Sequence, residues 1–168
     1  MRYKIFQPAE QPANFEGDFA RFSLTLGAWA AMLPSRRPFG AYAIGDLTAN
    51  FSKSEFACKC GQCDGLADMR KSFIQALQEA REDAGISFRI TSGFRCPLHP
   101  ESIKRPTSSH TIGVAVDIAT PNSQVRYDIL AALIGRRFHR IGIGKTFIHV
   151  DDDPNKVAGV CWGYYPEE

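Results

Sequence analysis

The segment GVAVDIA, residues 113 to 119, constrains this chain more than any other stretch. Strand alternation puts Val114, Val116 and Ile118 on one face and Ala115, Asp117 and Ala119 on the other. A buried strand tolerates a carboxylate only where something partners it, because an unpaired charge away from water is expensive. His110 stands seven positions before Asp117, and the small Ala115 and Ala119 leave space beside the carboxylate. Further on, TFIHVD repeats the division: Phe147, His149 and Asp151 share one face, while Thr146, Ile148 and Val150 share the other.

Polar groups on two such strands, with His110 just before one of them, need a common partner. A divalent metal supplies one. Two imidazole nitrogens and a carboxylate oxygen from His110, His149 and Asp117 suit zinc, and three protein ligands leave a fourth position open, as catalytic zinc sites do. Singly, each of these residues reads as an ordinary hydrogen-bonded group; it is their spacing and company that point to metal.

The remainder of the chain supplies a frame. Leu66, Met69, Phe73, Leu77, Ala80 and Ala84 recur every three or four positions, which predicts an amphipathic helix of about five turns, capped by Asp64 and stopped at Gly85. ISFRIT, residues 86 to 91, alternates as a strand and runs into a Pro- and Ser-rich loop. After Pro121, Asn122 or Ser123 can cap a helix with the stripe Val125, Ile129, Leu130, Leu133 and Ile134. RIGIGKTFIHVDDD predicts two strands joined by a turn near Gly144 and Lys145. The fold class is α+β, with a small, mainly antiparallel sheet and helices packed on one side. Residues 1–49, with Phe6, Phe15, Phe19, Phe22, Trp29, Phe39 and Tyr42, read as an aromatic-rich N-terminal extension; residues 50–168 form the main domain.

A formal charge of +2 gives no field able to hold nucleic acid or an anionic membrane without local clustering. No window is apolar enough for a membrane helix, and LTLGAWAAML, residues 24 to 33, lacks the basic head and position of a secretory signal. The expectation is a protein made in a cytoplasm without a Sec signal. Of five cysteines, Cys58, Cys60 and Cys63 crowd into CKCGQC, while Cys96 and Cys161 lie far off. Three thiols are one short of a closed zinc site, so the readings are a partial knuckle, a disulfide involving one of them, or small apolar thiols.

Ser108, His110, Gly113, Ala115 and Asp117 fit the pattern S-x-H-x-x-G-x-A-x-D of the M15 zinc peptidases, the D-alanyl-D-alanine carboxypeptidases and phage cell-wall endopeptidases whose fold is shared by the hedgehog signalling domain. ITSGFRCPLH resembles that family's T-S-G-[YF]-R-C-P segment, NFSKSEFACKCG its phage-type lead-in, and FIHVD the strand bearing its last histidine. The likeness spans about residues 50 to 165.

The resemblance implies Zn2+ held by His110, Asp117 and His149, with Arg95 facing the site to bind a substrate carboxylate or steady an oxyanion. Ser108 is expected to assist by hydrogen bonding at the substrate side, and Gly113 to allow tight passage between His110 and Asp117. Many relatives carry a glutamate three residues before the last histidine as general base; Thr146 stands there. Asp151, about 7 Å along the strand from His149, is the substitute, with a structural acceptor role as its alternative and exposed His139 as a weaker candidate. Relatives also often carry a Gly-Gly pair where this chain has IKRPT, residues 103 to 107.

The implied activity is zinc-dependent hydrolysis of an amide bond in peptidoglycan, by a monomer or a component of a phage tail, acting on the bacterial wall or carried on a virion. The rival is a phage structural or binding protein that keeps the zinc fold without the chemistry.

Overall fold

The computed structural model describes residues 46–164. A 3-10 turn over Lys53–Phe56 leads into helix α1 (Lys71–Ala84), strand β1 (Ile90–Ser92), the short helix α2 (Pro100–Lys104), a second 3-10 turn over Ser109–Ile112, strand β2 (Ala115–Ala119), helix α3 (Ser123–Gly135) and strands β3 (Arg140–Ile143), β4 (Phe147–Asp151) and β5 (Val160–Gly163). The strands form one sheet in the order β1-β2-β4-β3-β5. All neighbours are antiparallel except β3 and β5. The fold is therefore α+β with a mixed sheet. The parallel β5 escaped the sequence reading because its residues are exposed or half-buried at the sheet edge and carry no clean apolar alternation.

One sheet face is the core. Val116 and Ile118 of β2, Ile148 and Val150 of β4 and Ile141 of β3 pack with Phe73, Ile74 and Leu77 of α1 and Ile129 and Leu133 of α3. Fully burying such a side chain contributes about 1.5–3 kcal/mol each. Phe51 and Phe56 close the lower end, edge to face at 5.4 Å. Because side chains alternate, a core on one face sends Asp117 and His149 to the other.

Helix α1 begins at Lys71, not at Asp64. The Cys58 N–H donates to the Leu66 carbonyl at 2.7 Å and the Arg70 N–H to that of Gly113 at 2.8 Å, so the intervening backbone is spent on tertiary bonds. Leu66 is 52% exposed and Met69 packs on the core from a loop. The expected stop holds: Gly85 sits in the left-handed region at φ 63°. Residues 86 to 89 are not strand, although Phe88 is buried; the ladder with β2 starts at Ile90 and is broken by an irregularity before Ser92. The alternation there reported burial rather than pairing. In α3 the Asn122 side chain accepts from the Val125 N–H at 2.9 Å, as expected of a cap, but Ile134 is 64% exposed and lies off the stripe.

The expected boundary at residue 49 lies near the start of the described region, and residues 1–45 of the extension lie outside it. Thr48 and Asn50 both bond to the buried Gln78 of α1. Among the described residues no helix is long and apolar enough to cross a membrane.

Candidate metal centre

Asp117 of β2 and His149 of β4 are directly opposed in the antiparallel register. His110 arrives from the 3-10 turn before β2, which ends at Gly113 with φ 68°. Only glycine fits there: an added Cβ would meet the Asp68 carbonyl oxygen at 2.0 Å, on top of the left-handed backbone.

The three side chains converge. His110 Nε2 lies 3.3 Å from His149 Nδ1 and 3.4 Å from Asp117 Oδ1, and His149 Nδ1 lies 2.8 Å from the same oxygen. Each residue is also held from behind. His110 Nδ1 is 2.7 Å from the Gly93 carbonyl, so that nitrogen carries the proton and Nε2 presents a lone pair. His149 Nε2 is 3.0 Å from Asp151 Oδ2, which by the same reasoning leaves Nδ1 as the acceptor. Arg95 Nη2 donates to Asp117 Oδ2 at 2.9 Å and turns Oδ1 toward the histidines. Three acceptor atoms thus face one point with no donor among them.

Such a set fits a divalent cation. Metal-bound histidines regularly give their second nitrogen to a carbonyl or carboxylate, and both partner types are present here. The electrostatics agree in direction. Burial alone would raise the Asp117 carboxyl, yet with no cation present, protons on the inward imidazole nitrogens of His110 and His149, donated to it, outweigh burial and hold the group well below the usual carboxylate range. Burial would lower the His149 imidazole, but its bonds to Asp117 and Asp151 raise it. The cluster is organised around positive charge.

Asp151 makes the contacts of the structural acceptor that stood as the alternative to a general base. Besides His149 Nε2 it accepts from Arg140 Nε at 2.8 Å and from the Asp153 N–H at 3.2 Å, and it is 1% exposed. About four acceptor sites exist on a carboxylate, so three are taken, and its histidine contact is to the nitrogen turned away from Asp117. That arrangement orients an imidazole. A proton acceptor for water instead needs an oxygen turned to the open side of the donor set. His139 is exposed on the approach to β3 and does not border the cleft. Thr146 is exposed as well.

The donors open onto a cleft of about 680 Å³. Arg95 and Ser108 line it, and so do Arg105, Arg140 and Lys156. Ser108 caps the 3-10 turn, its carbonyl accepting from the Thr111 hydroxyl at 2.6 Å. Two further lining residues were missed. Trp162 and Tyr164, with ring centroids 5.7 and 6.2 Å from that of His149, stand on and just after β5. Gly142 makes room for them, since a Cβ there would lie 2.5 Å from the Tyr164 ring and 2.7 Å from that of Trp162. Arg140 stacks over Trp162 at 5.3 Å while holding Asp151. The only signal in the sequence was the aromatic pair itself, without a strand to place it.

The fold and the donor set together define a small α+β protein with a three-donor group that could hold a divalent metal. A family model described as Peptidase M15 matches residues 49–151, more than half of the chain, and the chain belongs to that family. M15 peptidases are zinc-dependent metallopeptidases. No curated protein matches the chain.

Proposed function

We propose that this protein is a zinc peptidase that hydrolyses an amide bond in peptidoglycan stem peptides or cross-links, in phage-type lysis or remodelling of the bacterial wall. The observation that carries the hydrolase part is the convergence of three locked acceptors, from His110, Asp117 and His149, at the floor of an open cleft. Zinc held there supplies carbonyl polarisation and acidification of water towards a pKa of about 7.

The chain's own residues do the rest. Gly93 and Asp151 fix the outward nitrogens of His110 and His149, so the inward ones are turned to the point where the metal would sit. Arg95, at the cleft wall, holds Asp117 and meets a substrate carboxylate or the oxyanion that develops during attack. Ser108 hydrogen-bonds the peptide at the rim. Arg105, Arg140 and Lys156 make the cleft cationic, which suits stem peptides with their free carboxylates. Trp162 and Tyr164 form a wall for apolar portions of the peptide.

Asp151 is assigned to orientation of His149. As general base it would have to release one of its partners, whereas as an orienting group it needs none to move. The reading is tested by mass spectrometry of muropeptides after incubation of purified peptidoglycan with wild type and with His110→Ala. New peptide products from wild type alone are expected, and their masses name the bond. Wild type that holds zinc at this site and leaves peptidoglycan intact at several pH values contradicts the enzyme and supports a phage structural or binding role.

A further inference from the structure

Four of the five cysteines meet outside the cleft. The sequence offered three in CKCGQC; the fold brings Cys96, from the loop after β1, to join Cys58, Cys60 and Cys63. We propose that these four thiolates bind a second zinc ion, in a closed structural site separate from the His110, Asp117 and His149 centre.

The four sulfur atoms lie within 4.8 Å of one another, with Cys60 Sγ 3.6 Å from Cys63 Sγ and 3.5 Å from Cys96 Sγ. Zinc–sulfur bonds of about 2.3 Å in a tetrahedron put neighbouring sulfurs about 3.8 Å apart, whereas a disulfide needs about 2.05 Å. Cys60 stands almost equally far from two partners, which suits a shared ion and not a covalent bond to either. An all-sulfur tetrahedral set is the donor chemistry of zinc or iron–sulfur centres; sulfurs within 4.8 Å of one another leave room for a single ion and not a cluster, and zinc is the usual ion of a closed structural four-cysteine site.

The local backbone is shaped to the same end. The chain turns at Gly61, φ 69°, so that the Gln62 N–H donates to Cys60 Sγ at 3.3 Å, and the Cys96 N–H donates to Cys58 Sγ at 3.4 Å. N–H groups aimed at sulfur are the outer contacts that orient metal ligands. Cys58 and Cys96 are buried, Cys60 and Cys63 are half-buried, and Phe94 and Met69 pack against the group, which does not border the cleft that the histidine centre opens onto. Cys161 is exposed and takes no part.

The placement gives the ion a task. Residues 57 to 70 contain no helix or strand, and the ion would tie them to the loop that follows β1. That loop carries the Gly93 carbonyl that fixes His110 and the Arg95 guanidinium that fixes Asp117. The sulfur site therefore holds the scaffold of the open one.

The test is metal analysis and zinc X-ray absorption on protein purified under reducing conditions. Wild type should carry two zinc ions per chain. His110→Ala/His149→Ala should keep one, with a sulfur-only shell at about 2.3 Å. Cys96→Ser should lose one equivalent; should that variant fail to fold, the sulfur shell in the double histidine variant decides by itself. Zinc-free double histidine variant with four reactive thiols, iron in place of zinc, or a disulfide between any two of the four cysteines on peptide mapping would each overturn the proposal. Because the double histidine variant lacks the candidate catalytic donors, its result is independent of whether the protein hydrolyses peptidoglycan.

Discussion

The two donor clusters of this protein differ in chemistry, number and support. The histidine–aspartate set sits on the open face of the sheet, and its three acceptors are each locked by a partner from behind. The cysteine set packs against Phe94 and Met69, and its sulfurs face one another, with backbone N–H groups donating to Cys60 and Cys58. An open set of three suits exchange of ligands and hence chemistry. A closed set of four suits permanence. A missing fourth donor and rigid partners behind the other three make a reactive site, whereas a complete set makes a fastening.

The comparison can be broken at several points. The largest effect is expected from His110→Ala, which should reduce peptidoglycan cleavage to background and remove one zinc equivalent while the sulfur-bound equivalent stays. Loss of both ions together would mean that the two sets are not separate. Next comes Gly113→Val, which forces a side chain into left-handed backbone and against the Asp68 carbonyl at 2.0 Å. Urea titration should show a loss of at least about 2 kcal/mol, and because Gly113 also accepts the Arg70 N–H beside the cysteine loop, both sites should weaken.

Asp151→Asn sharpens the contrast in support. If Asp151 orients His149, zinc affinity at the open site should fall about 10- to 100-fold and excess zinc should restore turnover. Turnover that stays abolished with zinc fully bound would instead assign Asp151 as the proton acceptor. The smallest effect belongs to Ile134→Lys on α3, where the side chain is 64% exposed. Its unfolding free energy should change by less than about 0.5 kcal/mol, against about 2–5 kcal/mol for Leu133→Ala one position earlier.

The open site was legible in the sequence because its residues ride on two strands whose alternation is strict. Asp117 and His149 each interrupt an apolar face pattern, and period-two geometry fixes where they point. For Asp151 the sequence left a base and a structural acceptor open: its position on the right face was legible, but the Arg140 and Asp153 contacts that occupy it come from the sheet neighbour β3 and from the following loop. The cysteine site was hidden for a similar reason. Cys96 belongs to a loop of no periodicity, and nothing local says that it folds back onto CKCGQC. Likewise, the apolar spacing from Leu66 continued the helical pattern of α1 upstream, but tertiary hydrogen bonds to Leu66 and Gly113 claimed that backbone first. Trp162 and Tyr164 reach the cleft only through the parallel pairing of β5 with β3, a long-range register that no single segment encodes.

The most direct test removes the weakly held metal and returns it. Protein treated with chelator until the open site is empty should yield no muropeptide products by mass spectrometry, and one added equivalent of zinc should restore them in full. Undiminished cleavage by protein whose His110, Asp117 and His149 hold no ion would contradict the account.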